Sequence, residues 1–155
     1  MIGQKWNIYW NEYSSDTYLY GSEINFLENH KVEFCNELMP PGTVIKKWYS
    51  KTNFQAQKIE PALPMIDGEG EYKIIVDITV DDEESCIGRL VFFDRFYKEI
   101  GYLFLREKEQ VFRCPLNTYS YELHLINGGV THFIFNAVEI QEIIDEPEKK
   151  NKKVK

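Results

Sequence analysis

Histidine, cysteine and serine are the residues through which a chain of this size would most readily hold a metal or attack a substrate, and here they are few and dispersed. His30, His124 and His132 stand at no i, i+4 interval, and none lies near a cysteine at a zinc-ligand spacing. His124 falls on the solvent parity of its strand and His132 opens the next, so both read as surface or edge histidines. Cys35, Cys86 and Cys114 form no CxxC pair, and any disulfide would leave one thiol over. No serine sits in a Gly-x-Ser-x-Gly elbow, and no glycine-rich phosphate loop occurs. The run Asp81, Asp82, Glu83, Glu84 reads as a solvated turn; as a calcium site it would need further oxygen ligands that the sequence does not place. The expectation is a protein that is not an enzyme and carries no cofactor and no metal.

Aromatic residues are in surplus: ten Tyr, ten Phe and three Trp. Tyr and Trp join a flat apolar body to a polar tip, which suits stacking on sugar rings and anchoring in protein interfaces. Tyr72, Tyr119 and Tyr121 fall on inward parities. Trp10, Trp48, Tyr49 and Tyr97 lie near strand ends and are the candidates for an exposed binding surface.

Strands must position these side chains, because three alanines among so many aromatics make poor helices and good pleated surfaces. In "EYKIIVDITV", Tyr72, Ile74, Val76, Ile78 and Val80 share one face, the alternation of a half-buried strand. "YSYELHLI" repeats the period with one wet face. In "THFIFNAVEIQEI" the apolar parity changes between Phe135 and Val138, which predicts a bulge near Asn136. "GRLVFFD" and "IGYLFLR", joined by "RFYKE", predict an antiparallel hairpin, and Asn127–Gly129 reads as a second hairpin turn. "QKWNIYW", "TYLYG", "INFLE", "KVEFCNE" and "TVIKKWYSK" complete about nine or ten strands, and "KIEPALPMIDGEGEY" reads as a crossover between sheets. The fold class is all-β: an antiparallel β-sandwich or jelly roll.

The 155 residues fit one domain. The last ten carry five lysines against two glutamates, a net +3 that leaves −10 for residues 1 to 145 out of the overall −7. We therefore divide the chain into a sandwich domain, 1 to 145, and a disordered lysine-rich tail, 146 to 155, suited to weak contact with an anionic leaflet or partner. The acidic balance argues against nucleic acid. With no signal peptide at "MIGQKWNIYW", no apolar run near 18 residues and three scattered cysteines, a reduced cytoplasmic compartment is expected, with any membrane contact peripheral.

The stretch "LMPPGTVIKKWYSKTNF" joins these threads. Pro40, Pro41 and Gly42 read as a turn that launches a strand. In that strand Val44, Lys46 and Trp48 share one parity, and Ile45, Lys47 and Tyr49 the other. A strand with no cleanly apolar face suits a sheet edge or a partner interface, and Trp48, Tyr49 and Asn53 are the proposed docking residues.

Together with "DTYLYGSEINF", "RLVFFDR" and "YSYELHLINGG", the segment "LMPPGTVIKKWYSKTNFQAQKIEPALP" resembles the third accessory secretory protein of the accessory Sec system in Gram-positive cocci, which exports glycosylated serine-rich-repeat adhesins. The resemblance covers roughly residues 1 to 143. It implies a fold like that of carbohydrate-binding modules and a cytoplasmic, membrane-peripheral, non-enzymatic role. It also implies assembly with the first and second accessory secretory proteins, which are glycosyltransferase-like and hydrolase-like, and cooperation with the accessory SecA motor. The complex would deliver the serine-rich-repeat glycoprotein substrate and help complete its glycosylation. The alternative, drawn from the aromatic surplus, is an autonomous carbohydrate-binding module that recognises N-acetylated sugars.

Overall fold

Two antiparallel sheets face each other across a core that is mostly aromatic and β-branched. The computed structural model describes residues 2–10, 17–18, 20–50, 63–80, 86–105 and 107–144. Asn53, the acidic run Asp81 to Glu84 and the tail 146–155 lie outside the described residues. The strands are β1 (Ile2–Ile8), β2 (Glu23–Phe26), β3 (Val32–Cys35), β4 (Val44–Tyr49), β5 (Glu71–Val80), β6 (Cys86–Phe93), β7 (Glu99–Leu105), β8 (Glu109–Arg113), β9 (Ser120–Asn127) and β10 (His132–Ile143). One sheet has the order β2-β3-β10-β5-β8, with β1 also on β10; the other has the order β4-β9-β6-β7.

The long strands β5 and β10 form the centre of the first sheet. Val80, Ile78, Val76 and Ile74 stand opposite Phe133, Phe135, Val138 and Ile140, so one residue of β10 has no partner in the ladder. That residue is Asn136, and its amide donates to Asp77 Oδ1 at 3.2 Å and to Thr79 Oγ1 at 3.4 Å on the outer face. The bulge predicted from the change of parity is present. It is what allows Phe135 and Val138 to point inward together.

The second sheet meets this surface with Trp48, Leu123, Leu90 and Leu103, which lie side by side across its four strands. Trp48 stacks on Phe135 with ring centroids 5.2 Å apart, and Trp10 packs edge-on to both. Both tryptophans are nearly inaccessible, Trp10 at 4% and Trp48 at 3% exposure. The expectation that they could be surface residues is corrected. A bulge at Ile45 turns Lys46 and Trp48 inward as alternate residues, where the opposing sheet covers them. Lys46 is buried with them: its Nζ lies 5.3 and 5.5 Å from the Trp48 and Trp10 rings and donates to Thr17 Oγ1.

Three connections differ from expectation. Among its described residues "TYLYG" forms no strand; Thr17 makes a single bridge to Lys46, and Tyr20 and Gly21 lie in a turn. Asn127–Gly129 is not a hairpin turn, because β9 and β10 belong to different sheets. Asn127 caps the crossing instead: its Oδ1 accepts from Gly129 and Val130, its Nδ2 donates to the Pro40 and Met39 carbonyls, and Gly129 supplies φ +114°. The Pro40–Gly42 turn is as predicted, with Gly42 at φ +87°, and Asn127 binds it to the neighbouring crossing. Tyr119 is half exposed rather than inward, since it precedes β9 and lies beyond the last paired position, Ser120 opposite Phe93. Tyr72 and Tyr121 are core residues as predicted, and burial pushes the Tyr121 phenol well up while its hydroxyl donates to the Pro64 carbonyl.

Truncating Trp48 to Ala leaves a void between the sheets that the close aromatic neighbours cannot fill. The expected loss is about 3–5 kcal/mol, read as a lower midpoint in urea or guanidinium unfolding. A loss below about 1 kcal/mol would contradict the packing described.

Candidate functional site

The outer face of the four-stranded sheet carries the side chains most unlike a simple solvated surface. Register places Tyr49, Glu122, Val91 and Tyr102 in one cross-strand row, and Lys47, His124, Arg89 and Phe104 in the next. Directly opposed residues share a face. The β9 position of each row is polar, Glu122 or His124, and the β7 end is aromatic.

Glu122 and His124 were expected on a wet face, yet both are 5% exposed. The correction has a local cause. β9 is an interior strand, and longer side chains from its neighbours close over it. Arg89 Nη2 lies 2.8 Å from His124 Nδ1, and His124 Nε2 lies 2.8 Å from Glu122 Oε1. A guanidinium only donates, so Nδ1 is the acceptor and the ring proton sits on Nε2, facing Glu122. The Tyr97 hydroxyl, from the turn between β6 and β7, donates to Glu122 Oε2. Burial alone would raise the Glu122 carboxyl, but the hydrogen bonds from His124 and Tyr97, with the nearby Lys47 charge, hold it below the usual carboxylate range. Arg89 Nε is buried without a hydrogen-bond partner among the described residues.

Of the five residues singled out from the sequence, the structure brings two to this face. Tyr49 lies beside Glu122 and Tyr97 bonds to it, with Tyr97 also stacked on Phe93 at 4.5 Å. Trp10 and Trp48 lie behind the sheet in the core, and Asn53 is outside the described residues. Sequence reasoning did not single out Tyr102, Phe104 or Arg89. The signal was there in the pairing of "GRLVFFD" with "IGYLFLR", but the register that sets Arg89 beside His124 comes from a third strand. His132 opens the interior strand β10 with its ring at the surface, as one of the two expectations had it, hydrogen-bonded to Glu33 at 2.9 Å.

β4 is an edge strand, as its mixed pattern predicted, but the chain itself covers much of that edge. Tyr18 N donates to the Ile45 carbonyl, and Leu63 N to the Tyr49 carbonyl. Among the described residues, no group of three or more His, Cys, Asp or Glu is placed to hold a metal ion. The three cysteines are thiols outside any disulfide, and burial raises that of Cys114. A cavity of about 150 Å³ between the sheets, lined by Val76, Val80, Cys86 and Leu125 together with Glu107 and Lys108, gathers no catalytic set among the described residues. The face therefore offers a closed polar centre and an aromatic margin.

The family model described as "Accessory Sec secretory system ASP3" matches residues 17–142. An accessory Sec system protein of that same designation from Streptococcus gordonii is 36% identical over 130 residues, which cover 84% of this chain and 82% of that protein. Among solved structures, a chain of the accessory secretory protein 1, 2 and 3 structure from Streptococcus pneumoniae is 28% identical with a TM-score of 0.83, over 93% of this chain and 100% of that one. A chain of the Glycosylation Associate Protein (Gap123) complex from Streptococcus agalactiae is 30% identical with the same TM-score, over 92% of this chain but only 46% of that one. A Clostridium thermocellum xylanase with CBM22-1 and GH10 modules, solved with xylohexaose, is 15% identical at TM-score 0.50, covers 84% of this chain and 26% of that one, and shows likeness of fold alone.

The Glu122 network has a pH signature. Its carboxyl is depressed in the folded state, so its contribution is present above about pH 4.5 and is lost as pH falls through the lower folded value. Glu122→Gln should cost about 1–3 kcal/mol at pH 7. The gap between wild type and variant in denaturant unfolding should shrink steadily below about pH 4.5; a constant gap would show that the charge is not what the network holds.

Proposed function

The chain belongs to the accessory Sec secretory system ASP3 family, and on that footing we propose that it is a non-catalytic subunit that assembles with the first and second accessory secretory proteins. In this reading the assembly helps deliver a serine-rich-repeat adhesin preprotein to the accessory SecA motor and contributes to its glycosylation. The observation that carries the reading is the family match over residues 17–142 together with close structural relatives solved as multi-protein complexes. The site agrees in kind. Glu122 and His124 at its centre are hydrogen-bonded within the face, and what is left for a partner is a margin of aromatic and aliphatic side chains, as protein interfaces use.

Among the described residues, no helix is long and apolar enough to cross a membrane. We place the subunit in the cytoplasm, with the lysine-rich tail as a weak peripheral contact to the anionic inner leaflet. Tyr49 and Tyr97 are proposed as part of the partner surface. Trp10 and Trp48 serve it indirectly, by fixing β4 against the opposing sheet, and Asn53 is kept as a docking candidate.

Co-expression with the first and second accessory secretory proteins tests the reading directly. A stable complex on size-exclusion chromatography is the expected outcome, and a chain that stays monomeric in the presence of both would refute it. The aromatic margin also favours a second reading, a carbohydrate-binding surface. Calorimetric titration of the isolated chain with N-acetylglucosamine-bearing peptides discriminates the two: heat that disappears in Tyr102→Ala would support the sugar reading, and its absence would leave the aromatics to the partner. Trp48→Ala is unsuited to this purpose because its effect would be on the fold.

A further inference from the structure

Of the ten asparagines in the chain, Asn127 alone is followed by glycine. That pairing has a covalent chemistry of its own. The Gly128 amide nitrogen attacks Cγ of the Asn127 side chain, and with no Cβ on residue 128 nothing crowds the approach. The bond from Cγ to Nδ2 breaks, Nδ2 leaves as ammonia with the proton that the Gly128 nitrogen gave up, and a succinimide ring closes. Water then opens the ring at either carbonyl, which leaves aspartate or isoaspartate at position 127. The net change is hydrolysis of an amide, and nothing is oxidised or reduced.

The fold holds Asn127 away from this reaction. The residue is 4% exposed. Its Oδ1 accepts from Gly129 N at 2.9 Å and from Val130 N at 2.8 Å, and its Nδ2 donates to the Pro40 carbonyl at 3.0 Å and the Met39 carbonyl at 3.3 Å. The backbone is held as well: Asn127 N donates to the Thr43 carbonyl, and the Asn127 carbonyl accepts from Gly42 N, both at 2.8 Å. To carry Cγ onto the Gly128 nitrogen the side chain must rotate, which gives up its hydrogen bonds together and releases the Pro40 turn from the β9–β10 crossing. Burial also keeps away the water that must take up the Gly128 proton.

Neither product fits where the asparagine sat. An aspartate only accepts, so an oxygen would face the Pro40 and Met39 carbonyl oxygens in place of a donor, with a negative charge buried among them. An isoaspartate carries the main chain through Cγ, which lengthens the backbone between the end of β9 and Gly129, held at φ +114°.

We propose that Asn127–Gly128 is a deamidation site that folding keeps silent, and that its use in an unfolded chain bars that chain from refolding. The substrate is water, and the trigger is loss of the crossing that the asparagine itself ties. A chain that opens there leaves the folding equilibrium by a covalent step, so its lifetime is set by how seldom the crossing opens.

The test uses the full chain in mildly alkaline buffer, folded and in denaturing guanidinium chloride, with a thiol reductant to keep Cys35, Cys86 and Cys114 reduced. Peptide mass mapping follows the gain of about 1 Da at residue 127, and tryptophan fluorescence after dilution follows refolding. The expected gain is at least about tenfold faster in the unfolded chain, and the refolding fraction falls in step with it. Gly128→Ala crowds the attack and should slow the reaction in denaturant by at least about tenfold, a rate that is read whether or not the variant folds. Asn127→Asp carries one product's side chain and should unfold at a lower denaturant midpoint than wild type or fail to fold. No mass gain at residue 127 in denaturant overturns the site, and equal rates in the folded and unfolded chain overturn its protection. Deamidated chain that refolds as fully as fresh chain, or Asn127→Asp with the wild-type midpoint, overturns the bar to refolding and with it the proposal.

Discussion

The stacking of Trp48 on Phe135 is the contact from which the sandwich is built. It joins the edge strand of one sheet to the central strand of the other, and Trp10 closes the corner by packing on both rings and on Phe34 and Phe133. Aromatic pairs of this kind contribute about 0.5–1.5 kcal/mol each beyond the area they bury. Two irregularities make the contact possible. The bulge at Asn136 brings Phe135 to the inner face along with Val138, and the bulge at Ile45 does the same for Trp48 on the facing strand. Without either extra residue the aromatic set on that strand would face solvent, because a one-residue slip inverts every side chain.

Where the core is apolar, the crossings between sheets are held by buried amides. Asn36 donates to the Tyr20 carbonyl and Ser22 Oγ and accepts from Leu38 and Met39, while Asn127 ties the Pro40 turn to the β9–β10 crossing. Each is almost fully buried, so each bond left unmade would cost the desolvation of its group, about 1–3 kcal/mol. The two asparagines thus bind neighbouring crossings to one another. They keep β4 in the register that delivers Trp48 inward and Tyr49 outward.

The same register divides the outer face into its two parts. Interior strand β9 and its neighbour β6 bring Glu122, His124 and Arg89 into one hydrogen-bonded chain, and Tyr97 donates to its Glu122 end. At the margin, β7 has a neighbour on one side only, so its aromatic residues stay open. The outer face thus sets a closed polar centre beside an open apolar margin.

The sequence by itself determined the strand content, the inward face of β5, the bulge at Asn136, the Pro40–Gly42 turn and the family, because each is written in neighbouring residues: a period of two, a break in it, a turn dipeptide, a motif. It also carried the resemblance to carbohydrate-binding modules that the structural likeness supports. What it did not determine was the cover over each face. His124 and Tyr119 were placed by parity, and parity says only which way a side chain points; whether anything lies there depends on strands far away in the chain. Tertiary structure decided that Trp10 and Trp48 are core, that Asn127 caps a crossing rather than a hairpin, and that Arg89, His124 and Glu122 are neighbours, since sheet order and register bring together residues that no local pattern connects.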